Sequence, residues 1–177
     1  MTRTRLATVW LDGCSGCHMS FLDIDEQLLD LADQIELVYS PLVDHKDFPE
    51  EVDITLVEGA VSSEEDLEKI KHIRNHTRVL ISLGDCAVTG NVPSLRNSID
   101  TESILRRVYL EPDLHNPHVP DQVVPRLLPV VRPVHAVVNV DIYVPGCPPS
   151  ATTIAYLLTE LLAGRTPDLT GKTRFGA

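Results

Sequence analysis

Short aliphatic runs recur along the chain and alternate with stretches whose apolar residues have helical spacing. The runs mostly lack polar alternation, and they cover residues 6–11, 35–39, 54–57, 79–83 and 138–144. Strands that are apolar on both faces are typical of parallel sheets covered by helices. Helical spacing predicts helices at residues 21–31, 64–76 and 151–162. The alternation predicts an α/β fold built on a doubly wound parallel sheet.

Residues that favour helix ends support two of these helices. Ser62 or Ser63 precedes an acidic first turn, Ser150 precedes the last helix, and Gly164 follows it. Residues 111–134 break the alternation, because they contain six prolines and predict a long, extended, irregular loop. Loops of this length in a compact domain are usually functional or bind a partner.

Length and charge narrow the function classes. The 177 residues predict a single domain over 1–177. A formal net charge of −11 opposes a phosphate backbone, so no nucleic-acid partner is expected. No apolar run approaches the roughly 18 residues that span a bilayer, so no direct membrane insertion is expected. The N-terminal residues lack an apolar signal core, which favours a cytoplasmic location.

The four cysteines are the main candidates for chemistry. Cys14 and Cys17 form a Cys-x-x-Cys pair, whereas Cys86 and Cys147 are single, and each of these three sites follows a predicted strand. The carboxyl ends of parallel strands meet at one edge of a sheet, where ligands bind at the switch in strand order. We therefore expect the four thiols, together with Glu58 after the third strand, to converge on that edge.

Several chemistries remain open for four thiols in a reducing cytosol. Structural zinc sites usually draw cysteines as two local pairs, and a thioredoxin-type pair normally opens a helix and leaves two cysteines unused. Inert core thiols are a further alternative, although glycine-flanked loops are poor burial sites. An iron–sulfur cluster uses all four thiolates, and glycine-rich loops offer backbone N–H groups to sulfur, so we favour a cluster that transfers single electrons.

Four motifs carry a resemblance to a known family. They are TVWLDGCSGCHMSFLD at residues 8–23, VEGA at 57–60, LGDCAVTGNVP at 83–93 and VPGCPP at 144–149. The chain resembles the small, electron-transfer subunits of [NiFe] hydrogenases, most closely those of the bidirectional NAD(P)-linked enzymes. The resemblance reaches from near the N-terminus to the last helix.

The resemblance implies a flavodoxin-like fold in which Cys14, Cys17, Cys86 and Cys147 hold one [4Fe–4S] cluster proximal to the Ni–Fe centre of a large subunit. It also implies diaphorase partner subunits with FMN and NAD(P), since no cysteine follows Cys147 to hold a further cluster. Related complex I subunits have two adjacent cysteines at the first site, unlike Cys14-Ser-Gly-Cys17. A complex-I-like or membrane-bound hydrogenase assembly nevertheless stays open.

Three further residues are candidates for proton transfer or cluster tuning. Glu58 directly follows the third predicted strand, which places its carboxylate beside the expected cluster. His18 is adjacent to Cys17, and Asp85 is adjacent to Cys86. An ordinary strand-end, helix-entry or turn role is the alternative for each. A flavin-binding, flavodoxin-like redox module is the second functional hypothesis, although a flavin phosphate would compete with the cysteines for the first loop.

Overall fold

The core of the protein is a parallel sheet of five strands. The computed structural model describes residues 3–111 and 115–176. The strands are β1 (Thr4–Trp10), β2 (Ile35–Tyr39), β3 (Val52–Glu58), β4 (Val61–Ser63), β5 (Thr77–Leu83), β6 (Leu127–Arg132) and β7 (Ile142–Val144). The large sheet has the order β2-β1-β3-β5-β7 with every pair parallel, and β4 and β6 form a separate antiparallel pair.

Helices cover both faces of the large sheet. The helices of the described residues are α1 (Gly16–Leu22), α2 (Gln27–Ala32), α3 (Glu64–Asn75), α4 (Asp85–Thr89), α5 (Thr101–Tyr109) and α6 (Ala151–Leu162), with 3-10 helices at Val92–Ser98 and Val134–Ala136. One buried cluster joins the sheet to α1 and α6, and the other joins it to α3 and α4. None of the helices in the described part of the chain is long and apolar enough to cross a membrane.

The predicted fold class is confirmed. The sheet is parallel and is covered on both faces, and its order is that of a flavodoxin-like fold. In the central strand β3 the adjacent residues Leu56 and Val57 are both fully buried, one in each cluster. A strand buried on both faces has no need of polar alternation, which explains the aliphatic run in the sequence.

Two of the predicted helix starts are also confirmed. The Ser63 hydroxyl accepts a hydrogen bond from the Asp66 N–H at 3.1 Å, and the Asp66 carboxylate accepts one from the Ser63 N–H at 3.0 Å. This reciprocal pair satisfies two N–H groups at the start of α3. The Ser150 hydroxyl accepts from the Thr153 N–H at the start of α6.

Three of the segments predicted from the sequence differ in the structure, which also contains β4, α4 and α5 that were not predicted. The helix predicted at 21–31 is two helices, α1 and α2, because the chain turns between them and Asp25 has a φ of 58°. The strand predicted at 138–144 is extended only at Ile142–Val144. The loop predicted at 111–134 contains β6, which pairs with β4, while its residues 112–114 lie outside the described residues.

The strand order fixes where a ligand site belongs. From β1 the chain passes to β2 on one side, and β3 then returns to the other side of β1. The loops that follow β1 and β3 therefore lie at the switch in strand order, the usual binding position in such sheets. These loops carry Cys14 and Gly59, and β3 ends at Glu58.

Candidate functional site

The four thiols surround one small cavity at the carboxyl edge of the sheet. Cys14 lies in the loop after β1, Cys17 in the first turn of α1, Cys86 in the first turn of α4, and Cys147 in the loop after β7. The cavity has a volume of about 60 Å³ and is lined by all four cysteines with Gly16, Gly59, Gly146, Glu58, Asp85 and Pro148. Cys14 and Cys147 are exposed, whereas Cys17 and Cys86 are half-buried.

Backbone hydrogen bonds hold the first cysteine loop against the loop after β3. The Leu11 N–H donates to the Glu58 carbonyl at 3.0 Å, and Asp12 and Ala60 exchange two hydrogen bonds of 3.0 and 2.7 Å. Gly59 lies between them with a φ of 87°, and a Cβ there would come within 2.7 Å of the Leu11 carbonyl carbon. Only glycine permits the two loops to cross this closely, and the crossing brings Glu58 beside the Cys-x-x-Cys loop.

Glycines also leave room for the sulfurs themselves. A Cβ on Gly84 would lie 2.2 Å from Cys17 Sγ, and one on Gly16 would lie 3.2 Å from Cys14 Sγ. The backbone at these two positions therefore lies so close to the sulfurs that a side chain there would crowd them. Four thiols with such close backbone approach suit a thiolate-bound iron–sulfur cluster, whose sulfurs accept backbone N–H groups.

The thiols interact electrostatically, as expected of groups around one cavity. Burial raises the pKa of Cys17, and the nearby Glu58 carboxylate and the other three thiols raise it further. Burial also raises the pKa of Cys86, with contributions from Cys147 and Cys14. Ligation by metal requires thiolates, so binding at this site is coupled to the release of protons.

Two hydrogen-bond donors reach the sulfurs from the segment after α4. The Asn91 side-chain amide donates to Cys147 Sγ at 3.6 Å. The Val92 backbone N–H donates to Cys86 and lowers the pKa of that thiol against the effect of burial. The sequence prediction missed Asn91, although the pair Gly90-Asn91 after a short helix is a turn signal, and both residues have positive φ.

Glu58 and His18 form a buried pair beside the cavity. Glu58 Oε2 accepts hydrogen bonds from both the backbone N–H and the Nδ1–H of His18, each at 2.7 Å. The two side chains are 2% and 3% exposed. The His18 ring meets Trp10 edge-on at 5.2 Å, and in the described residues His18 Nε2 and Trp10 Nε1 are buried without a hydrogen-bond partner.

Asp85 is buried next to Cys86, but its carboxylate faces backbone groups. Oδ1 accepts from the Gly146 N–H and Oδ2 from the Gly176 N–H, both at 2.7 Å. A carboxylate with both oxygens engaged in this way holds chain segments together. Asp85 is therefore placed to organise the site rather than to act as a freely accessible acid.

All seven residues singled out in the sequence lie at this edge of the sheet. Each lines the cavity except His18, which contacts it through Glu58. The Cys-x-x-Cys pair lies at the start of a helix, since α1 begins at Gly16. In the part of the chain that the structure describes, no three His, Cys, Asp or Glu side chains are arranged to hold a single metal ion.

Comparison with known proteins identifies relatives of the whole chain. The chain is 41% identical over 174 residues to the NAD-reducing hydrogenase HoxS subunit delta of Cupriavidus necator, a match that covers 94% of this chain and 82% of that relative. It is also 41% identical over 173 residues to a vhu subunit of the F420-non-reducing hydrogenase of Methanococcus voltae. That second match covers 96% of this chain but 60% of the relative.

A solved structure has the same fold and a similar sequence. A chain in the crystal structure of an NAD⁺-reducing [NiFe]-hydrogenase in the H₂-reduced state matches with a TM-score of 0.94 at 42% identity. The match covers 98% of this chain and 99% of that one. The family model for the NADH ubiquinone oxidoreductase 20 Kd subunit matches residues 14–161, from the first cysteine to α6. The chain therefore belongs to the NADH ubiquinone oxidoreductase 20 Kd subunit family, as a relative of hydrogenase small subunits.

Proposed function

We propose that this chain is the electron-transfer small subunit of a [NiFe] hydrogenase and that Cys14, Cys17, Cys86 and Cys147 hold one [4Fe–4S] cluster. The observation that carries the proposal is the arrangement of all four thiols around one cavity at the switch in strand order. A bound cluster supplies reversible one-electron chemistry. We further propose that residues 1–177 form one domain and that the enzyme is cytoplasmic.

The remaining residues of the site have roles in holding and adjusting the sulfurs. Gly84 and Gly16 keep the space beside Cys17 and Cys14 open. Asn91 and Val92 donate hydrogen bonds to the sulfurs of Cys147 and Cys86, an interaction that raises the potential of a cluster. The buried Glu58–His18 pair adds charge and dipoles beside Cys17, and we propose it as the tuning pair.

The geometry gives less support to the other cofactors. A tetrahedral zinc site holds each sulfur about 2.3 Å from the metal, so its sulfurs are within about 4 Å of one another. The described residues contain no such group. Sites for drug-sized ligands usually exceed roughly 300 Å³, and the cavity of about 60 Å³ is much smaller. Flavin as the sole cofactor at this edge is therefore disfavoured.

The exposed side of the site is the surface that we propose for the large subunit. Cys14 and Cys147 are exposed at the edge of the sheet. The 3-10 helix that follows α4 presents Leu95 at 72% exposure and Val92 at 62%. Apolar side chains exposed beside a redox site are typical of a surface that a partner covers. Ni–Fe chemistry would then belong to the partner.

Sequence identity alone does not decide the electron acceptor, because relatives of equal identity carry different names. The HoxS subunit is called NAD-reducing, and the vhu subunit is called F420-non-reducing. The TM-score of 0.94 to a chain of an NAD⁺-reducing enzyme supports the first class. We propose NAD(P) as the acceptor, reached through diaphorase subunits that carry FMN, with a complex-I-like or membrane-bound hydrogenase assembly as the alternative.

Metal analysis of the full chain tests the cluster. Anaerobically purified or reconstituted protein is expected to contain about four iron and four sulfide ions per chain and to give an EPR signal on reduction. A parallel reconstitution with iron, sulfide and zinc supplied together tests the main alternative. One tightly bound zinc per chain, with no iron and no sulfide, would contradict the proposal, as would a released flavin without iron.

A matched pair of surface variants tests the partner surface. Leu95 and Leu29 are similarly exposed, at 72% and 75%, but Leu95 lies on the 3-10 helix that follows Asn91, the donor to Cys147, whereas Leu29 lies on α2. We expect Leu95→Asp to abolish co-purification of a tagged large subunit and Leu29→Asp to leave it unchanged. Equal recovery with both variants would show that the large subunit binds elsewhere.

A further inference from the structure

Asp85 occupies the point where β5 and β7 separate. The parallel ladder ends at the pair Leu83 and Val144, and the Gly84 N–H still donates to the Val144 carbonyl at 2.8 Å. One residue later the Asp85 N–H donates to the Gly146 carbonyl at 2.8 Å. The Gly146 N–H returns a hydrogen bond to Asp85 Oδ1 at 2.7 Å. The carboxylate thus extends the pairing of these two chain segments beyond the end of the sheet.

This pairing lies directly beside two of the thiols. Cys86 follows Asp85, and Cys147 follows Gly146, so the two hydrogen bonds join the residues that immediately precede both cysteines. The two segments are 61 residues apart in the chain and share no helix or strand at this point. Asp85 is 5% exposed, and charge-assisted hydrogen bonds to a buried carboxylate are stronger than neutral ones.

The second oxygen of the same carboxylate holds the C-terminal segment, residues 165–176. Asp85 Oδ2 accepts from the Gly176 N–H at 2.7 Å, across 91 residues of sequence. The segment is also held on α6, because the Thr153 hydroxyl donates to the Lys172 carbonyl at 2.9 Å. Leu169 packs against the core cluster that includes α6. One buried side chain therefore connects both single cysteines to the end of the described chain.

We propose that Asp85 is a positioning residue, which sets the relative placement of Cys86 and Cys147 through one oxygen and fixes the C-terminal segment with the other. The inference rests on the proposed function, because it assigns those two thiols to a cluster. Its consequence is a coupling: loss of the carboxylate weakens the binding of iron at the site and at the same time releases the end of the C-terminal segment at Gly176.

Hydrogen exchange on the metal-free full chain tests the contacts without any cluster. In Asp85→Ala, we expect the amides of Gly146 and Gly176 to exchange about tenfold faster or more, as for the loss of a hydrogen bond to a charged group. In Asp85→Asn, the remaining oxygen is expected to keep the more buried Gly146 bond, so only the Gly176 amide exchanges faster. Asp168→Asn is the control, since Asp168 also accepts a backbone N–H but is fully exposed.

Iron retention tests the consequence for the site. We expect an iron chelator to strip Asp85→Ala about tenfold faster or more than the wild type and Asp168→Asn, and we expect altered g-values in the reduced EPR spectrum. Unchanged exchange at Gly146 and Gly176, or unchanged iron release and g-values in both Asp85 variants, would overturn the inference. A wild-type chain that takes up no iron would instead contradict the proposed function, and the exchange data would still decide whether Asp85 holds the two segments.

Discussion

Substitution of Gly84 by alanine should damage the thiol site far more than it damages the fold. Gly84 lies between β5 and α4 with φ 84° and ψ 161°, and an added Cβ would lie 2.2 Å from Cys17 Sγ. Non-bonded heavy atoms normally approach no closer than about 3.5 Å, so the sulfur must move by more than about 1 Å. Metal–ligand distances tolerate deviations of only about 0.2 Å.

The cost to folding should be modest because the Cys17 thiol can rotate away from the new methyl group. The backbone conformation of Gly84 is one that is essentially confined to glycine, and a side chain there costs about 1–3 kcal/mol. Gly164 offers a near-matched control, since it has φ 71° with nothing within 4 Å of an added Cβ. Gly164→Ala should cost about 1–2 kcal/mol from backbone strain alone.

Chemical denaturation of the metal-free chains and iron analysis after anaerobic reconstitution measure the two effects separately. We expect both variants to fold, Gly84→Ala to retain less than about half of the wild-type iron, and Gly164→Ala to retain all of it. If Gly84→Ala binds iron as fully as Gly164→Ala and gives the wild-type EPR spectrum, then Cys17 is not held against Gly84 as a ligand, and the reasoning is refuted.

Three further predictions test individual interactions. Asn91→Ala removes the hydrogen-bond donor to Cys147. If that bond strengthens by about 0.5–1 kcal/mol on reduction, its loss should make the midpoint potential of the cluster about 20–45 mV more negative in a redox titration. An unchanged potential would contradict the contact. Ser63→Ala removes the cap of α3 and should lower the free energy of unfolding by about 0.5–2 kcal/mol in urea. Leu56→Ala, in the fully buried centre of β3, should lower it by about 2–5 kcal/mol, whereas Leu29→Ala, at 75% exposure, should change it by no more than about 0.5 kcal/mol.

The sheet was predictable because its central strands β1, β3 and β5 are largely buried on both faces. A mostly aliphatic run such as residues 54–57 of β3, in a chain where such runs alternate with helices, is typical of a buried parallel strand. The helical pattern of residues 21–31 misled, because Ile24 is buried and keeps the apolar spacing although the chain turns there. Val138 and Val140 misled similarly, since they pack on the second core cluster from outside any strand.

The approximate place of the site was also predictable, whereas its hydrogen bonds were not. The rule that parallel strands end at one edge is enough to bring four cysteines and Glu58 together. The bonds of Glu58 to His18 and of Asp85 to Gly176 join residues 40 and 91 positions apart. No local pattern encodes such pairs, because they depend on how the loops cross. For Asn91, the sequence indicates only a turn, through the Gly90-Asn91 pair.

Two buried carboxylates line the same cavity, and their hydrogen bonds indicate different roles. Both Asp85 oxygens accept backbone N–H groups, so this residue is committed to joining chain segments. In the described residues the hydrogen bonds to the Glu58 side chain are all at Oε2, and Oε1 lies toward Gly13 in the first cysteine loop. A substitution at Asp85 should therefore act through the positions of Cys86 and Cys147, while one at Glu58 should act through the charge beside Cys17. Because one carboxylate acts through the placement of chain segments and the other through charge, their effects on the EPR spectrum of the reduced protein should be distinguishable.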